Sequence, residues 1–370
     1  MDITHSATEF IEHLLRTSIL KRVSDLHIEP QQISVRIRAR IDNHLYLFSP
    51  PPDEFSEEIV TRLKVLANLN IAEKRLPQDG QFNWSYYEKN YSIRMATLPT
   101  LYGEKVVLRL INNLQQPKLN HLGFQPSHLT LLKKYLNLPQ GMILVTGPTG
   151  SGKTLTLYSC LRYLNKENLN INSVEDPVEL PLKGINQTQI SEKSGISFTT
   201  ILRALLRQDP DIIMVGEIRD QSTAEMAIKA AQTGHLVLST LHTNSASSTL
   251  MRLYNLGIEK DLIHSCVSLI ISQRLVRCLC PHCKICLSDK QHININKEMI
   301  ELPNWQAVGC QQCCSGYNGR TAIYDCFEPS KQTPSSPYHL LYSGFSLIKQ
   351  GITTLEEVYQ TLGDIEWDYS

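Results

Sequence analysis

The segment Gly147-Pro148-Thr149-Gly150-Ser151-Gly152-Lys153-Thr154 decides the fold. It fits the pattern G-x-x-x-x-G-K-[ST] of a phosphate-binding loop. Its glycines let backbone N–H groups converge on phosphate oxygens with no Cβ in the way. Lys153 would reach the β- and γ-phosphates, and the Thr154 hydroxyl would hold Mg²⁺. A following helix would add the positive end of its dipole. The context agrees, because residues 142–146 form an apolar run and the stretch from Lys153 onward has helical character. A chance glycine-rich turn would lack that strand before and helix after.

Further apolar runs at 211–215 and 236–240 are short and bounded by polar turns, as buried parallel strands are. Strands alternating with helices predict an α/β layer architecture. The first of these runs ends Val215-Gly216-Glu217 and resembles a Walker B segment, which sets an acid beside Mg²⁺. Gly216 occupies the place where an aspartate often precedes the glutamate, so Glu217 would act alone there. Residues 172–179 carry three carboxylates, Glu175, Asp176 and Glu179. Phosphoryl transfer to water needs Mg²⁺ ligands and a group that orients the water, and an acidic turn at a strand end can supply both. A solvated acidic turn is the plainer alternative. His235 and His242 bracket the run at 236–240. His242 sits at a strand end that can face a γ-phosphate, whereas a structural histidine is the plainer reading.

The N-terminal part reads differently. Apolar residues at 3, 10, 11, 14, 15 and 19 predict an amphipathic helix over 3–20. Residues 33–41 alternate strictly and predict a strand with one arginine face, Arg36, Arg38 and Arg40. Phe55, Ile59, Leu63 and Leu66 predict a second helix, and further strands are expected at 91–97 and 105–110. Together they predict a small α+β domain over 1–111, a polar linker at 112–123 and the α/β domain over 124–370. Beyond about residue 288 the pattern weakens.

Thirty-six basic and thirty-six acidic residues cancel, which argues against a protein that coats nucleic acid. No apolar run reaches the roughly 18 residues of a membrane span. The N-terminus shows no secretory pattern. A cytosolic protein that meets a membrane only through a partner is therefore expected.

Seven of the ten cysteines fall between 278 and 314. Cys280-Pro281-His282-Cys283 and Cys310-Gln311-Gln312-Cys313 form two C-x2-C pairs separated by 26 residues. Four thiolates in two close pairs suit a closed, tetrahedral Zn²⁺ site with a structural role. Cys278, Cys286 and Cys314 are spare thiols nearby, so the spacing alone leaves a ligand exchange open. Cys160, Cys266 and Cys326 read as core residues.

Taken in order, these motifs resemble the secretion and type IV pilus ATPases of the GspE/PulE and PilB type. The resemblance runs from Ser24-Asp25-Leu26-His27-Ile28-Glu29-Pro30 to Gly319-Arg320-Thr321-Ala322-Ile323-Tyr324. Between them lie Gln78-Asp79-Gly80, Gly103-Glu104-Lys105, the Walker A loop, an Asp box at 174–179, the Walker B box at 216–220 and a His box at 234–242. The resemblance implies a RecA-like P-loop motor domain with a zinc-binding insertion at about 278–326, preceded by a PAS-like small domain. It implies ATP and Mg²⁺ as cofactors, with structural Zn²⁺ on Cys280, Cys283, Cys310 and Cys313. Glu175 becomes the candidate for positioning water and Glu217 for the Mg²⁺ and water shell. Arg75, Arg94 and Arg109 become candidates for closing on the phosphates from the small domain.

The resemblance also implies a homohexamer on an inner-membrane platform protein of the GspF/PilC type, at the inner face of the cytoplasmic membrane. No direct nucleic-acid binding is expected. The four-cysteine motif favours assembly or secretion over retraction, and the start near the second domain of longer members resembles short competence-type enzymes. Two departures stand out: Gln81 occupies a position where arginine is usual, and the turn Ile41-Asp42-Asn43 replaces Val-Asp-Gly. They are the hints for an alternative, a nucleotide-binding scaffold with little turnover. A retraction or DNA-uptake motor is the other alternative within the fold.

Overall fold

The structure, a computed structural model, describes residues 6–48, 55–87, 89–111, 117–191, 195–295, 298–331 and 338–363. The chain folds as two compact units, Met1–Gln115 and Gln116–Ser370. Of the expected linker, residues 112–116 lie outside the described residues. Its second half contains Leu119, which is buried in the core of the second unit.

In the first unit, helix α1 (Ala7–Leu20) starts at Ser6, whose hydroxyl accepts the Glu9 amide hydrogen at 3.2 Å. That is an ordinary N-cap. Phe10, Ile11, Leu14 and Leu15 form its buried stripe. There follow β1 (Asp25–Pro30), β2 (Val35–Ile41), β3 (His44–Phe48), α2 (Ser56–Leu66), β4 (Gln78–Tyr86), β5 (Lys89–Thr100) and β6 (Gly103–Ile111). The strands form one sheet in the order β3-β2-β1-β6-β5-β4, antiparallel throughout.

Along β2, Val35, Ile37, Ala39 and Ile41 are buried while Arg36, Arg38 and Arg40 alternate with them. Asp42 and Asn43 have φ of 49° and 71°, which makes the β2–β3 connection a two-residue turn of the primed kind. Asn tolerates the left-handed region, so the altered turn still closes the hairpin. Strands β1, β3 and β4 were not among the sequence expectations. β4 is a sheet edge in which Phe82 alone is buried, although Phe82-Asn83-Trp84-Ser85-Tyr86 alternates aromatic with polar residues.

The second unit contains α3 (Pro126–Leu136), β7 (Gly141–Thr146), α4 (Lys153–Leu164), β8 (Ile171–Glu175), β9 (Asn186–Gln189), α5 (Phe198–Leu205), β10 (Ile212–Val215), α6 (Gln221–Gln232), β11 (Leu236–Leu241), α7 (Ala246–Asn255), α8 (Lys260–Cys266) and β12 (Val267–Leu279). It ends with β13 (Ile285–Ile295), β14 (Glu298–Gln306), β15 (Tyr317–Phe327), α9 (His339–Lys349) and α10 (Leu355–Leu362). Seven strands form a sheet in the order β15-β12-β7-β11-β10-β8-β9, parallel except for β15.

Both faces of this sheet are covered. Met142, Leu144, Ile213, Val215 and Val237 point into one core, and Ile143, Val145, Ile212, Met214 and Leu238 into the other. Burial on both sides explains why these strands read as continuous apolar runs. The chain leaves β7 between β11 and β12, and the loops at the carboxyl ends of the strands gather there. Open parallel sheets bind ligands at such a point.

Among the described residues, strands β13 and β14 pair only with each other. Ile293, Ile295 and Leu302 from this hairpin pack with Leu341, Phe345, Ile348 and Val358 of α9 and α10. Among the described residues no helix is long and apolar enough to cross a membrane.

Candidate functional site

The segment 147–152 links β7 to α4 and is shaped by two of its glycines. Gly147 has φ of 152°, and a Cβ there would sit 2.5 Å from Gln273 O and 2.6 Å from Ser151 Oγ. Gly152 has φ of 86° at the N-cap of α4, with Gln273 Nε2 2.9 Å from its Cβ position. A Cβ at Gly147 would push on the β12 backbone, and at Gly152 the left-handed φ itself favours glycine. Pro148, Thr149 and Gly150 are exposed at the crest of the loop.

Lys153 turns back into the loop. Its Nζ donates to Gly147 O at 2.8 Å and Pro148 O at 3.0 Å. Burial pushes its pKa down to about 8; the Glu217 carboxylate opposes that shift and the Arg274 guanidinium adds to it. The ammonium is therefore held by two neutral carbonyls and, among the described residues, by no bonded carboxylate. Ser151 Oγ is buried with no hydrogen-bond partner among the described residues. An orphaned buried hydroxyl beside a carbonyl-held lysine, ahead of the N-terminus of a 12-residue helix, fits a polyphosphate. Thr154 is exposed on the first turn of α4, open to a metal ion bound with the phosphates.

The ends of β8, β10 and β11 bring the acidic and histidine candidates to the same edge. Glu217, two residues past β10, is ion-paired with Arg219, and His242 Nε2 lies 3.3 Å from its Oε2. Arg219 also reaches Asp176 Oδ2 at 3.6 Å. Thr240 Oγ1 donates to Gly216 O at 2.7 Å and Thr146 Oγ1 to Thr243 O at 2.7 Å, so side chains lace the strand ends together.

Glu175 is placed differently. It is 3% exposed at the end of β8, and its carboxylate accepts hydrogen bonds from Tyr158, from Ser173 Oγ at 2.6 Å and from Gln187 Nε2 at 3.0 Å. Tyr158 Oη also accepts the backbone N–H of Glu179 at 3.2 Å. Asp176 and Glu179, in contrast, are exposed.

In the first unit, register places Gln81, Arg94, Arg109 and Asp25 side by side across β4, β5, β6 and β1. Arg109 Nε donates to Asp25 Oδ1 at 2.8 Å. Asp79, Gln81, Arg94 and Arg109 line a cavity of about 500 Å³ in this unit. Arg75 stands apart from that row, paired with Glu73 at 3.3 Å and with 88% of its side chain exposed. On the same face Glu29 is ringed by Arg36, Arg38 and Lys105. Burial alone would raise its pKa, but the bonds from Arg38 and Lys105 win and hold it at about 2.

The Sγ atoms of Cys280, Cys283, Cys310 and Cys313 all lie within 4.8 Å of one another. The separations are 3.9 Å for Cys280–Cys310 and 3.7 Å for both Cys283–Cys313 and Cys310–Cys313. A tetrahedron with Zn–S of about 2.3 Å has edges of roughly 3.8 Å, whereas a disulfide would need about 2.05 Å. The four thiols therefore fit a metal ion. Cys278, Cys286 and Cys314 are not in this cluster.

Sequence reading missed Tyr158, Gln187, Gln273 and Arg274. The last two carried a signal: Ser272-Gln273-Arg274 interrupts an otherwise apolar run from 269 to 276. Three polar residues buried in the middle of a strand call for partners.

A profile of the Type II/IV secretion system protein family matches residues 4–359. The Protein transport protein HofB homolog of Escherichia coli (strain K12) is 48% identical over 374 residues, covering 96% of this chain and 81% of that protein. The Type IV pilus assembly ATPase PilB of Pseudomonas aeruginosa is 44% identical over 388 residues, covering 96% of this chain and 67% of that protein. The chain thus spans about two-thirds of the length of such a pilus assembly relative. Among solved structures, the pilus retraction motor PilT with bound ADP superposes with a TM-score of 0.61 at 25% identity, over 96% of this chain and 98% of that one.

Proposed function

The chain belongs to the Type II/IV secretion system protein family, and from that premise we propose that it is a Mg²⁺-dependent ATPase that drives pilus or pseudopilus assembly. The observation that carries the reading is the loop itself. Lys153 is bonded to neutral carbonyls of its own loop, at the meeting point of the strand ends that bear Glu217 and His242. Such a lysine exchanges its carbonyls for phosphate oxygens at small cost, and backbone N–H groups stabilise charge developing on the transferred phosphoryl group.

In this reading the Thr154 hydroxyl and Glu217 serve Mg²⁺ and its water shell, and His242 reports the γ-phosphate to Glu217. Glu175 positions water directly only if Tyr158 releases it; while bonded, it fixes the turn that presents Asp176 and Glu179. Arg94 and Arg109 offer cations from the first unit. Arg75 offers a third, with its neighbour Glu73 to exchange. The four-thiol centre takes Zn²⁺ as a structural ion.

The resemblance supports a homohexamer working on an inner-membrane platform protein of the GspF/PilC type, at the inner face of the cytoplasmic membrane. Phosphate release by the purified chain, compared with Lys153→Ala, tests the enzymatic reading. Equal release from both would remove it. Co-purification with the platform protein, and the size of the nucleotide-bound assembly, test the rest.

A further inference from the structure

A second buried cation stands beside the phosphate loop. Arg274, in the middle of β12, is 8% exposed. Its Nη1 donates to Gln273 O at 3.0 Å, and its Nη2 donates to Asn244 O at 3.1 Å and Asn244 Oδ1 at 3.2 Å. All three acceptors are neutral, and no carboxylate among the described residues pairs with it. A charge kept in the interior without a counter-charge is costly, and structures retain it where an anion or a fixed geometry needs it.

The guanidinium bridges two segments of the site. On one side, Gln273 splints the loop: its Nε2 donates to Ser151 O at 2.6 Å, and its Oε1 accepts the Thr156 hydroxyl at 2.8 Å. Arg274 Nη1 is also 3.3 Å from the Cβ position of Gly147, the residue whose carbonyl holds Lys153. On the other side, Asn244 lies two residues beyond His242, whose ring meets Glu217.

We propose that Arg274 is a positioning residue for phosphoryl transfer. Its planar fork ties β12, whose Gln273 side chain holds the loop bearing Lys153, to the segment bearing His242, so that the loop cation and the Glu217 side keep one spacing while the nucleotide reacts. The bound phosphates supply the counter-charge that the nucleotide-free site lacks. The proposal rests on the ATPase reading. A lysine cannot replace the arginine, because one ammonium cannot span Gln273 O and the Asn244 side chain together. A misplacement of about 1 Å is enough to cost on the order of 100-fold in rate.

The test uses the full chain with Arg274→Met, Arg274→Lys, Asn244→Ala and the Arg274→Met/Asn244→Ala double variant. Hydrogen exchange without nucleotide is expected to rise in peptides covering 242–245 in Arg274→Met and Asn244→Ala, with the melting temperature kept. Turnover is expected to fall at least tenfold in Arg274→Met while ADP affinity changes less than threefold. Arg274→Lys should not restore turnover, and the double variant should be no slower than Arg274→Met. Unchanged exchange at 242–245, turnover within twofold of wild type, or multiplicative losses in the double variant would each overturn the proposal. Failure of the ATPase reading looks different: the wild-type chain would neither bind ADP nor release phosphate, and the exchange comparison would still decide whether the tie exists.

Discussion

Tyr158 and Glu175 meet through a buried hydrogen bond that joins the helix after the phosphate loop to the end of β8. The same phenol oxygen accepts the Glu179 amide hydrogen, so one side chain sets both the carboxylate and the turn beyond it. Burial, together with the Glu175 carboxylate, pushes the phenol pKa up, and the proton stays on the oxygen. Removing the hydroxyl leaves a buried carboxylate short of a donor.

Tyr158→Phe is therefore expected to lower stability by about 1–3 kcal/mol and to slow turnover by loosening the 176–179 turn. Glu175→Gln should also lose both stability and turnover, because an amide cannot accept from Tyr158, Ser173 and Gln187 as a carboxylate does. Glu217→Gln should lose turnover with little change in stability, since its partners Arg219 and His242 are at least half exposed. Urea unfolding beside phosphate release checks all three. A fully stable Glu175→Gln would show that Glu175 is not an anchor of the turn.

Lys153 gives a pH dependence whose sign follows from its surroundings. Burial lowers its pKa from 10.5 to about 8 in the nucleotide-free chain. Between those values the unfolded chain binds more protons than the folded one, so stability rises with pH across this window. Below about pH 8 the cost of burying the charge is present in full, on the order of 3 kcal/mol. The stability of wild type relative to Lys153→Met should therefore grow from pH 8 to about 10, as read from unfolding curves of the two. Phosphates raise the lysine pKa again, so ADP binding takes up a proton above pH 8 and affinity declines as pH rises. An affinity flat from pH 7 to 9.5 would contradict it.

What could be read from the sequence follows from how local each signal is. The phosphate loop and the strands at 142–146, 211–215 and 236–240 announced themselves because a strand buried on both faces is an unbroken apolar run. The C-x2-C pairs did so because metal spacing is local. The hairpin of β13 and β14 did not, because most of β13 is exposed and only Ile293 and Ile295 are buried in it. Within the site, Lys153, Glu217 and His242 sit at motif positions. Tyr158–Glu175, Gln273–Ser151 and Arg274–Asn244 bridge 17, 122 and 30 positions. Such pairs exist only once the sheet order is set. The buried setting of Glu175 is of the same kind, since its three donors come from β8, α4 and β9 together.

The four-thiol cluster predicts about one Zn per chain by elemental analysis. Cys280 is fully buried and its amide hydrogen is accepted by Gly316 O at 2.8 Å, so the metal would pin β12 to the segment preceding β15. Cys280→Ser/Cys283→Ser should expose 278–326 to limited proteolysis while leaving the sheet strands β7, β10 and β11 protected. A zinc-free wild type that resists protease equally well would refute the metal assignment.

Gln81 permits a test confined to the first unit. It lies opposite Arg94, and Arg94 lies opposite Arg109. Asp25 forms a direct ion pair with Arg109, the last of the three. Gln81→Arg would place a third cation in the row, and like charges directly opposite on neighbouring strands cost about 0.2–1 kcal/mol. The variant should melt lower than wild type at low salt and match it near 1 M salt, where the screening length falls to roughly 3 Å. The same extra cation should strengthen retention of inorganic triphosphate on this face and, if Arg94 and Arg109 serve the nucleotide, raise turnover. Lower stability at every salt concentration would mean that glutamine is kept there for packing, and unchanged turnover would mean that the row stands away from the reacting phosphates.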